Sequence, residues 1–551
     1  MTRIDERVST HVYKVKRISK EEMESIAGVC VYDQPPFCNA ACPLKLDVKA
    51  MLKAAAENDF KKAFKIYESI APFPLILSAG CGAPCEEKCR LCELGDGIAI
   101  GDIERAVALS GGAGEKRSIF RVRKKKKAAV FGSGLFALLL AGELEKKGYP
   151  VTAICGEADE EEYLRVAAGF LRENDFYTEL KRLRGKDIAF EFNAEMTREL
   201  FEEKRGGFDV LCASEKAALD IFPGAVRDEG IMLMESEGLL TGGGETVLEA
   251  ALGARKAALT ADRLAQGIDP RSARGEEGPV TSRLYTNPDL ARGLIRIKGC
   301  ESGYTREQAA EEAGRCMQCH CDECLRGCAY LRRFNKHPGL LSREIYNNTQ
   351  IIMGDHPLNR AMNACALCGQ CTVTCPHGFD MAHVCRTARE NMVDTDKMPL
   401  AAHEFALLDM LFSNGEAYLC RKQPGHSHCR YVFFPGCQAA IAPEAVIAAY
   451  EDLCTRLKGG VALMLGCCGA IAHWAGRGEM YGEVRDKIAA ELAALEDPVI
   501  IAGCPSCMKL LSEQDMAETV GIWTVLRDRG LPDGARGGGR AVLHDPSGAR
   551  G

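Results

Sequence analysis

The chain has little of what marks a membrane, secreted or nucleic-acid-binding protein. No apolar run approaches the roughly 18 residues that a bilayer span needs. The opening Met-Thr-Arg-Ile-Asp-Glu-Arg lacks the apolar core of a secretory signal. Basic residues are outnumbered, 70 Lys and Arg against 77 Asp and Glu, which argues against nucleic acid as the main partner. No low-complexity tract or short-period repeat is visible. These absences lead to the expectation of a cytoplasmic protein without a membrane span.

What is abundant is cysteine, 28 residues in 551. A hydrophobic content of 46% is ample for real cores, so the cysteines are not substitutes for a missing one. In a cytoplasmic chain, dense cysteine means metal rather than disulfides. The length suggests roughly three to four domains. A first helical segment (1–118) contains the amphipathic stretches from Val48 to Ala55 and Phe60 to Ile70. An α/β segment (124–268) opens on the buried-strand pattern Ala128-Ala129-Val130-Phe131. A second helical segment covers 285–400. The last, 428–551, alternates helices with β-like runs at Tyr431–Phe434 and Val499–Ala502. Gly267 to Gly278 and Gln423 to Ser427 read as linkers. The basic run Arg121 to Lys127 reads as a solvated approach to the first strand.

The first cysteine set reads Cys30-x2-Asp33-x4-Cys38-x3-Cys42-Pro43, and the second Cys81-x3-Cys85-x3-Cys89-x2-Cys92. Short spacings followed by proline are how a chain wraps a cubane cluster. The segment resembles the N-terminal domain of the glutamate synthase small subunit and of dihydropyrimidine dehydrogenase. That resemblance implies two 4Fe–4S clusters with exchanged ligands, Cys30, Cys38 and Cys89 on one and Cys42, Cys81 and Cys85 on the other. Asp33 departs from the pattern, where the family has cysteine. A carboxylate there is a harder iron ligand than a thiolate, and Cys92 is the other candidate. Glu104 matches a family position that carries a Gln or Glu ligand. Its other reading is an exposed carboxylate near a helix start. The other reading of the whole set is a zinc-bound helical module.

Gly132-Ser133-Gly134-Leu135-Phe136-Ala137 is a G-x-G-x-x-A turn between a strand and a helix. Such glycines let backbone approach a pyrophosphate at a helix N-terminus. A second element, Gly238 to Gly244, precedes the helical stretch Thr246 to Leu264 and is similar to the flavin-contacting element of the glutamate synthase small subunit. Gly132, Gly134, Ala137, Glu157, Gly242 and Gly243 are the candidate FAD contacts. The usual ribose-binding acid falls at Cys155, with Glu157 two residues on, and the usual downstream Asp is Gly243 or Gly244. The two glycine elements lie too close together for an inserted nicotinamide domain. No NAD(P)H site is expected, and the Rossmann-like segment either holds FAD or is an empty dinucleotide fold.

Cys316-x2-Cys319-x4-Cys324-x3-Cys328 is followed by Cys365-x2-Cys368-x2-Cys371-x3-Cys375-Pro376, the full bacterial ferredoxin run. Cross-ligation logic puts Cys316, Cys319, Cys324 and Cys375 on one cluster and Cys365, Cys368, Cys371 and Cys328 on the other. Cys321 is an extra thiol that could replace Cys319 or Cys324. Cys300 and Cys385 read as ordinary thiols.

The last set is Cys437-x29-Cys467-Cys468-x35-Cys504-x2-Cys507. Adjacent cysteines suit a multi-iron cluster better than a single ion. The set resembles the CCG domain of heterodisulfide reductase catalytic subunits. It implies a non-cubane cluster held by Cys437, Cys467, Cys468, Cys504 and Cys507 that acts on a thiol–disulfide couple. His473 reads either as a proton donor or as a structural histidine. His544-Asp545-Pro546-Ser547 resembles the opening of a second CCG half with serine in place of cysteine, so that half is expected to be missing or supplied by a partner. Cys420, Cys429, His426 and His428 read as an unpaired loop or a zinc site.

The expected fold class is multidomain α/β and α-helical: a helical bis-cluster domain, a Rossmann-like domain, a helical dicluster ferredoxin-like domain and a partial CCG α/β domain. The expected function is an iron–sulfur oxidoreductase. It would relay electrons through about four cubanes, with FAD if bound, to the CCG cluster. Its substrate is a thiol–disulfide small molecule or a partner of ferredoxin, hydrogenase or dehydrogenase type. The alternatives are a non-catalytic electron-transfer subunit and an NADPH-dependent flavin oxidoreductase.

Overall fold

The computed structural model describes residues 19–111, 123–272, 274–299, 303–398 and 403–530. Cys300, Arg121 and the stretch around Ser547 lie outside the described residues. The chain divides into two compact units, one of residues 33–321 and one that joins residues up to 32 with those from 322 onward.

In the 33–321 unit, the helices Val48–Ala56 and Phe60–Glu68 begin on Asp47 and Asp59. Each carboxylate accepts an orphan N–H of the first turn, from Ala50 and Lys62 respectively, which is why the chain turns helical there. Met51, Leu52, Ala55, Phe60, Phe64 and Tyr67 form the buried stripe. Six strands follow: β1 (Ala128–Phe131), β2 (Val151–Ile154), β3 (Ile188–Glu191), β4 (Val210–Ser214), β5 (Leu233–Met234) and β6 (Leu239–Gly242). They lie in the order β3-β2-β1-β4-β6-β5, with β3, β2, β1, β4 and β6 parallel and β5 antiparallel to β6. β1 is buried at every residue, as a parallel strand covered on both faces must be.

The crossover helix Leu135–Lys146 is apolar nearly all round because it packs on the sheet and against Pro72 and Phe73. A Cβ on Gly142 would sit 2.7 Å from Pro72, so glycine sets that approach. The basic run before β1 is not a free solvated arm. Lys124 pairs with Asp262, and Lys126 donates to the Ala265 carbonyl, both in the helix Val247–Gln266. That helix starts later than expected because Thr246 caps it, with Glu249 closing a reciprocal capping box.

The other unit contains the helix Lys20–Ala27, which packs on the helix Pro338–Gln350. Arg343 pairs with Glu24, and the Tyr32 ring stacks on His337 with centroids 4.3 Å apart. A second sheet comprises β7 (Leu419–Arg421), β8 (Tyr431–Phe434), β9 (Val461–Leu465), β10 (Val499–Ala502) and β11 (Thr519–Gly521). Its order is β11-β10-β8-β9-β7, with only β7 antiparallel. No helix among the described residues is long and apolar enough to cross a membrane.

Glu312 is fully buried in the 33–321 unit. Its carboxylate accepts the Ala99 N–H at 3.0 Å, the Ile297 N–H at 2.9 Å and the Arg315 guanidinium. It thus ties the cysteine-bearing turn Cys316–Cys319 to the helix Ile100–Ser110. Glu312→Ala would strand two backbone donors and a buried cation. The expected loss is about 3–5 kcal/mol, read as a lowered denaturant midpoint, with Glu312→Gln retaining part of it.

Candidate functional site

Each cysteine set sits where backbone geometry is special. In Cys316-Met317-Gln318-Cys319, Gln318 adopts a left-handed φ of 50°, and its N–H points at the Cys316 sulfur. In Cys365-Ala366-Leu367-Cys368, Leu367 has φ 52° and its N–H points at the Cys365 sulfur. Few non-glycine residues adopt this conformation, so two matching turns mark a shared task. They aim a backbone donor at a sulfur, which favours its thiolate form.

In the 33–321 unit, Cys42, Cys81, Cys85 and Glu104 face one another across the fully buried Tyr67. Glu104 is 3% exposed on the helix Ile100–Ser110, which corrects its reading as an exposed helix-start carboxylate. Burial, then the Glu86 carboxylate, pushes Glu104 up to about 8, against a lowering by the Tyr67 hydroxyl beside it. Burial, then Glu104, pushes the Cys81 thiol up to about 12 and raises Cys85 further. Four acidic groups in one dry pocket resist ionising together unless positive charge joins them.

The same unit gathers Cys38, Cys89, Cys316 and Cys319. Burial, then Cys316, Cys319 and Cys89, raises Cys38. Asp33 is exposed. Cys92 is also exposed, with its thiol donating toward the Glu86 carbonyl at 3.4 Å.

In the other unit, Cys365, Cys371 and Cys328 lie together, and Cys324 and Cys375 pack in the same core as Cys30. The short helices Glu323–Gly327 and Gln370–Thr374 pack against each other there, with Gly327 close to Thr374. Cys385 lies against both the Cys365 thiol and the Tyr330 hydroxyl, the latter at 3.7 Å. It is therefore not an ordinary isolated thiol. Nothing in its spacing signalled that, because the contact comes from the tertiary packing of the helix Met381–Asp394.

The C-terminal set sits at the carboxyl ends of three parallel strands: Cys437 after β8, Cys467 and Cys468 after β9, and Cys504 and Cys507 after β10. Ends of parallel strands are where doubly wound sheets place their sites. Cys437 lies against Cys467, Cys467 against Cys468, Cys468 against Cys507, and Cys507 against Cys504. The neighbouring Cys507 thiol holds Cys504 down at about 5, while its thiol neighbours Cys468 and Cys504, followed by burial, raise Cys507. A cavity of about 390 Å³ opens beside Cys437, lined mainly by apolar side chains such as Val446, Ile447 and Leu463.

Arg389, 2% exposed, connects two of these sets. It donates to the carbonyls of Met362 at 2.9 Å, Cys365 at 2.5 Å and Trp474 at 2.6 Å. A second cavity, of about 260 Å³, lies alongside and is lined by Leu367, Asp380, Arg386, His473, Ser506 and Lys509, among others. Burial, then Arg386, lowers His473, so the imidazole is neutral near pH 7.

Cys420, Cys429 and Cys454 lie near one another, but His428 pairs with Glu496. Among the described residues, no three of His, Cys, Asp or Glu close on a single-ion site.

At the dinucleotide turn, Gly134 has φ 102° and nothing within 4 Å of where a Cβ would stand. Ala137 is buried, and one Glu157 carboxylate oxygen is buried without a partner. The downstream element differs. A Cβ on Gly242 would collide with Met232 and Phe136, and one on Gly243 with Glu215. On the β1 side Gly134 is open, while a Cβ on Gly132 would stand 2.5 Å from Ser214 Oγ, and a cavity of about 510 Å³ opens beside Gly243 and Gly244.

Two stretches match 4Fe–4S family models. Residues 7–112 match dihydropyrimidine dehydrogenase domain II, 4Fe–4S cluster, and residues 315–380 match a 4Fe–4S dicluster domain. The chain is 28% identical over 230 residues to the NADPH-Fe(3+) oxidoreductase subunit beta of Geobacter sulfurreducens, 39% of this chain and 33% of that protein. It is 28% identical over 159 residues to the NADP(+)-dependent formate dehydrogenase subunit beta of Moorella thermoacetica, 24% of this chain and 21% of that one. It is 29% identical over 146 residues to the glutamate synthase (NADPH) small chain of Azospirillum brasilense, 24% of this chain and 29% of the relative. The chain thus spans about a third or less of these relatives' lengths.

Gly436 has φ +85°, and a Cβ there would stand 3.0 Å from Cys504 Cβ and 3.2 Å from Cys507 Sγ. Gly436→Ala is expected to cost about 1–2 kcal/mol in backbone strain and to displace the Cys504–Cys507 pair. Brief alkylation followed by mass spectrometry should show Cys504 and Cys507 modified faster than in the unsubstituted chain.

Proposed function

We propose that the chain is an iron–sulfur electron-transfer oxidoreductase subunit. Its cubane-type cysteine sets would exchange single electrons with a CCG-type centre held by Cys437, Cys467, Cys468, Cys504 and Cys507. That centre would act on a thiol–disulfide couple or a partner redox protein. Arg389 carries this reading. One buried guanidinium binds the carbonyl of Cys365 and that of Trp474, six residues beyond Cys468, and so fixes a ferredoxin-type turn against the C-terminal set.

The residues fit iron–sulfide cages because their thiols are clustered, dry and aimed at by backbone N–H groups, which favours thiolates once a cation is present. Such cages supply one-electron storage when bound. The chain's own part is to hold the ligands, exclude water and manage protons. Neutral His473, 3.5 Å from Arg386, is placed to accept a proton at Nε2 in the cavity beside Ser506. Arg386 and Lys509 there face Asp380 and Glu513 across the same cavity, so its lining carries both signs of charge.

Gly134, open at its Cβ position, and the buried Glu157 oxygen suit the pyrophosphate and ribose end of FAD, and the cavity beside Gly243 and Gly244 lies at the second glycine element, while Gly132 and Gly242 are crowded by the chain's own side chains. The relatives are named as subunits, which favours redox partner chains here as well. Two of their names include NADPH, which keeps the flavin-reductase reading open.

The test is an anaerobic cofactor inventory with turnover assays. Iron and acid-labile sulfide should exceed about eight atoms each per chain. Reduced protein should cleave a small disulfide or hand electrons to a ferredoxin-type partner, and Cys467→Ser should abolish this with the cubane signals kept. NADPH alone should bleach nothing. Protein rich in zinc and free of sulfide would end the reading, and a flavin band bleached by NADPH alone would replace it with the flavin-reductase reading.

A further inference from the structure

Resting on the cysteine sets as cluster ligands, we propose that one cage in the 33–321 unit is held by Cys38, Cys89, Cys316 and Cys319, joining two motifs that are far apart in sequence. The N-terminal motif alone is short of ligands. Its second position is Asp33, which is exposed. Cys30 packs within the other unit, where a Cβ on Gly339 would stand 2.9 Å from Cys30 Cβ. Of that set, Cys38 and Cys89 are the two thiols in the 33–321 unit.

Cys316 and Cys319 fill the deficit. The helix Arg306–Gly314, which leads into them, packs on the helix Val48–Ala56, and a chain of hydrogen bonds fixes the register. The Asn39 carboxamide oxygen accepts the Lys49 N–H at 3.1 Å and faces the Cys38 thiol at 3.6 Å. The Lys49 ammonium donates to the Cys319 carbonyl at 2.9 Å. The Gln318 carboxamide donates to the Lys49 carbonyl at 3.3 Å and to the Cys316 sulfur at 3.4 Å. Cys38, Cys89, Cys316 and Cys319 all pack against the same hydrophobic core.

Two features point to a metal cage rather than four idle thiols. The Cys316–Cys319 turn has the same left-handed third residue as the ferredoxin run at Cys365–Cys368. The Thr286 hydroxyl, 4% exposed, is directed at the Cys319 thiol. A buried hydroxyl donor aimed at a sulfur favours the thiolate that a metal cage needs. Cys30, released from the N-terminal pattern, shares its core with Cys324, Cys328, Cys365, Cys371 and Cys375 and would ligate a cage of that unit instead.

The experiment uses the full chain purified without air. Iron and sulfide are counted in wild type, Cys38→Ser, Cys319→Ser, Cys30→Ser, and the doubles Cys38→Ser/Cys319→Ser and Cys30→Ser/Cys38→Ser. Each single should lose about four irons. The Cys38/Cys319 double should lose no more than either single, because both residues serve one cage, whereas the Cys30/Cys38 double should lose about eight. The reverse pattern overturns the assignment while leaving the proposed function standing. Wild type without iron or sulfide ends both. A second readout needs no variant. Stepwise iron removal by a chelator, followed by alkylation and mass spectrometry, should expose Cys38, Cys89, Cys316 and Cys319 in one step and Cys30 in another. Joint exposure of Cys30 with Cys38 and Cys89, ahead of Cys316 and Cys319, refutes the assignment even if a variant fails to fold.

Discussion

The constraint on which everything rests is electrostatic. Thiols are brought together out of water, where each makes its neighbour harder to ionise. Cys38, Cys81 and Cys85 are all raised by burial and by neighbouring acids. A protein gains nothing from such crowding unless a cation turns mutual repulsion into shared attraction. The surrounding architecture serves that end. Left-handed residues aim N–H groups at sulfur, and Glu312 anchors the Cys316–Cys319 turn to the core.

Much of this was legible in the sequence. The strands Ala128–Phe131, Tyr431–Phe434 and Val499–Ala502 stand where short apolar runs placed them. Their signal is strong because a buried parallel strand needs uninterrupted apolar residues. The five C-terminal cysteines were readable as one set, and the fold brings them together at neighbouring strand ends.

What the sequence hid is long-range. Spacing reports which cysteines share a turn, not which turns share a pocket. Glu104 could be read from its position either as a ligand or as an exposed helix-start carboxylate, and only the packing of Tyr67 and the cysteines shows that it is buried. Cys385 and Arg389 lie on one helical face with no motif around them, and only the packing of that helix shows what they touch. The lysines before β1 looked solvated because their partners, Asp262 and the Ala265 carbonyl, are more than a hundred residues away.

The left-handed residues at Gln318 and Leu367 have a consequence for assembly. A non-glycine side chain in that conformation costs roughly 1–2 kcal/mol, so each turn is held slightly against its own preference, like a sprung clip. When the grip on sulfur is lost, that stored cost favours relaxation of the loop. Oxygen damage to such a centre should therefore begin as backbone loosening at two short loops, well before the helices around them give way.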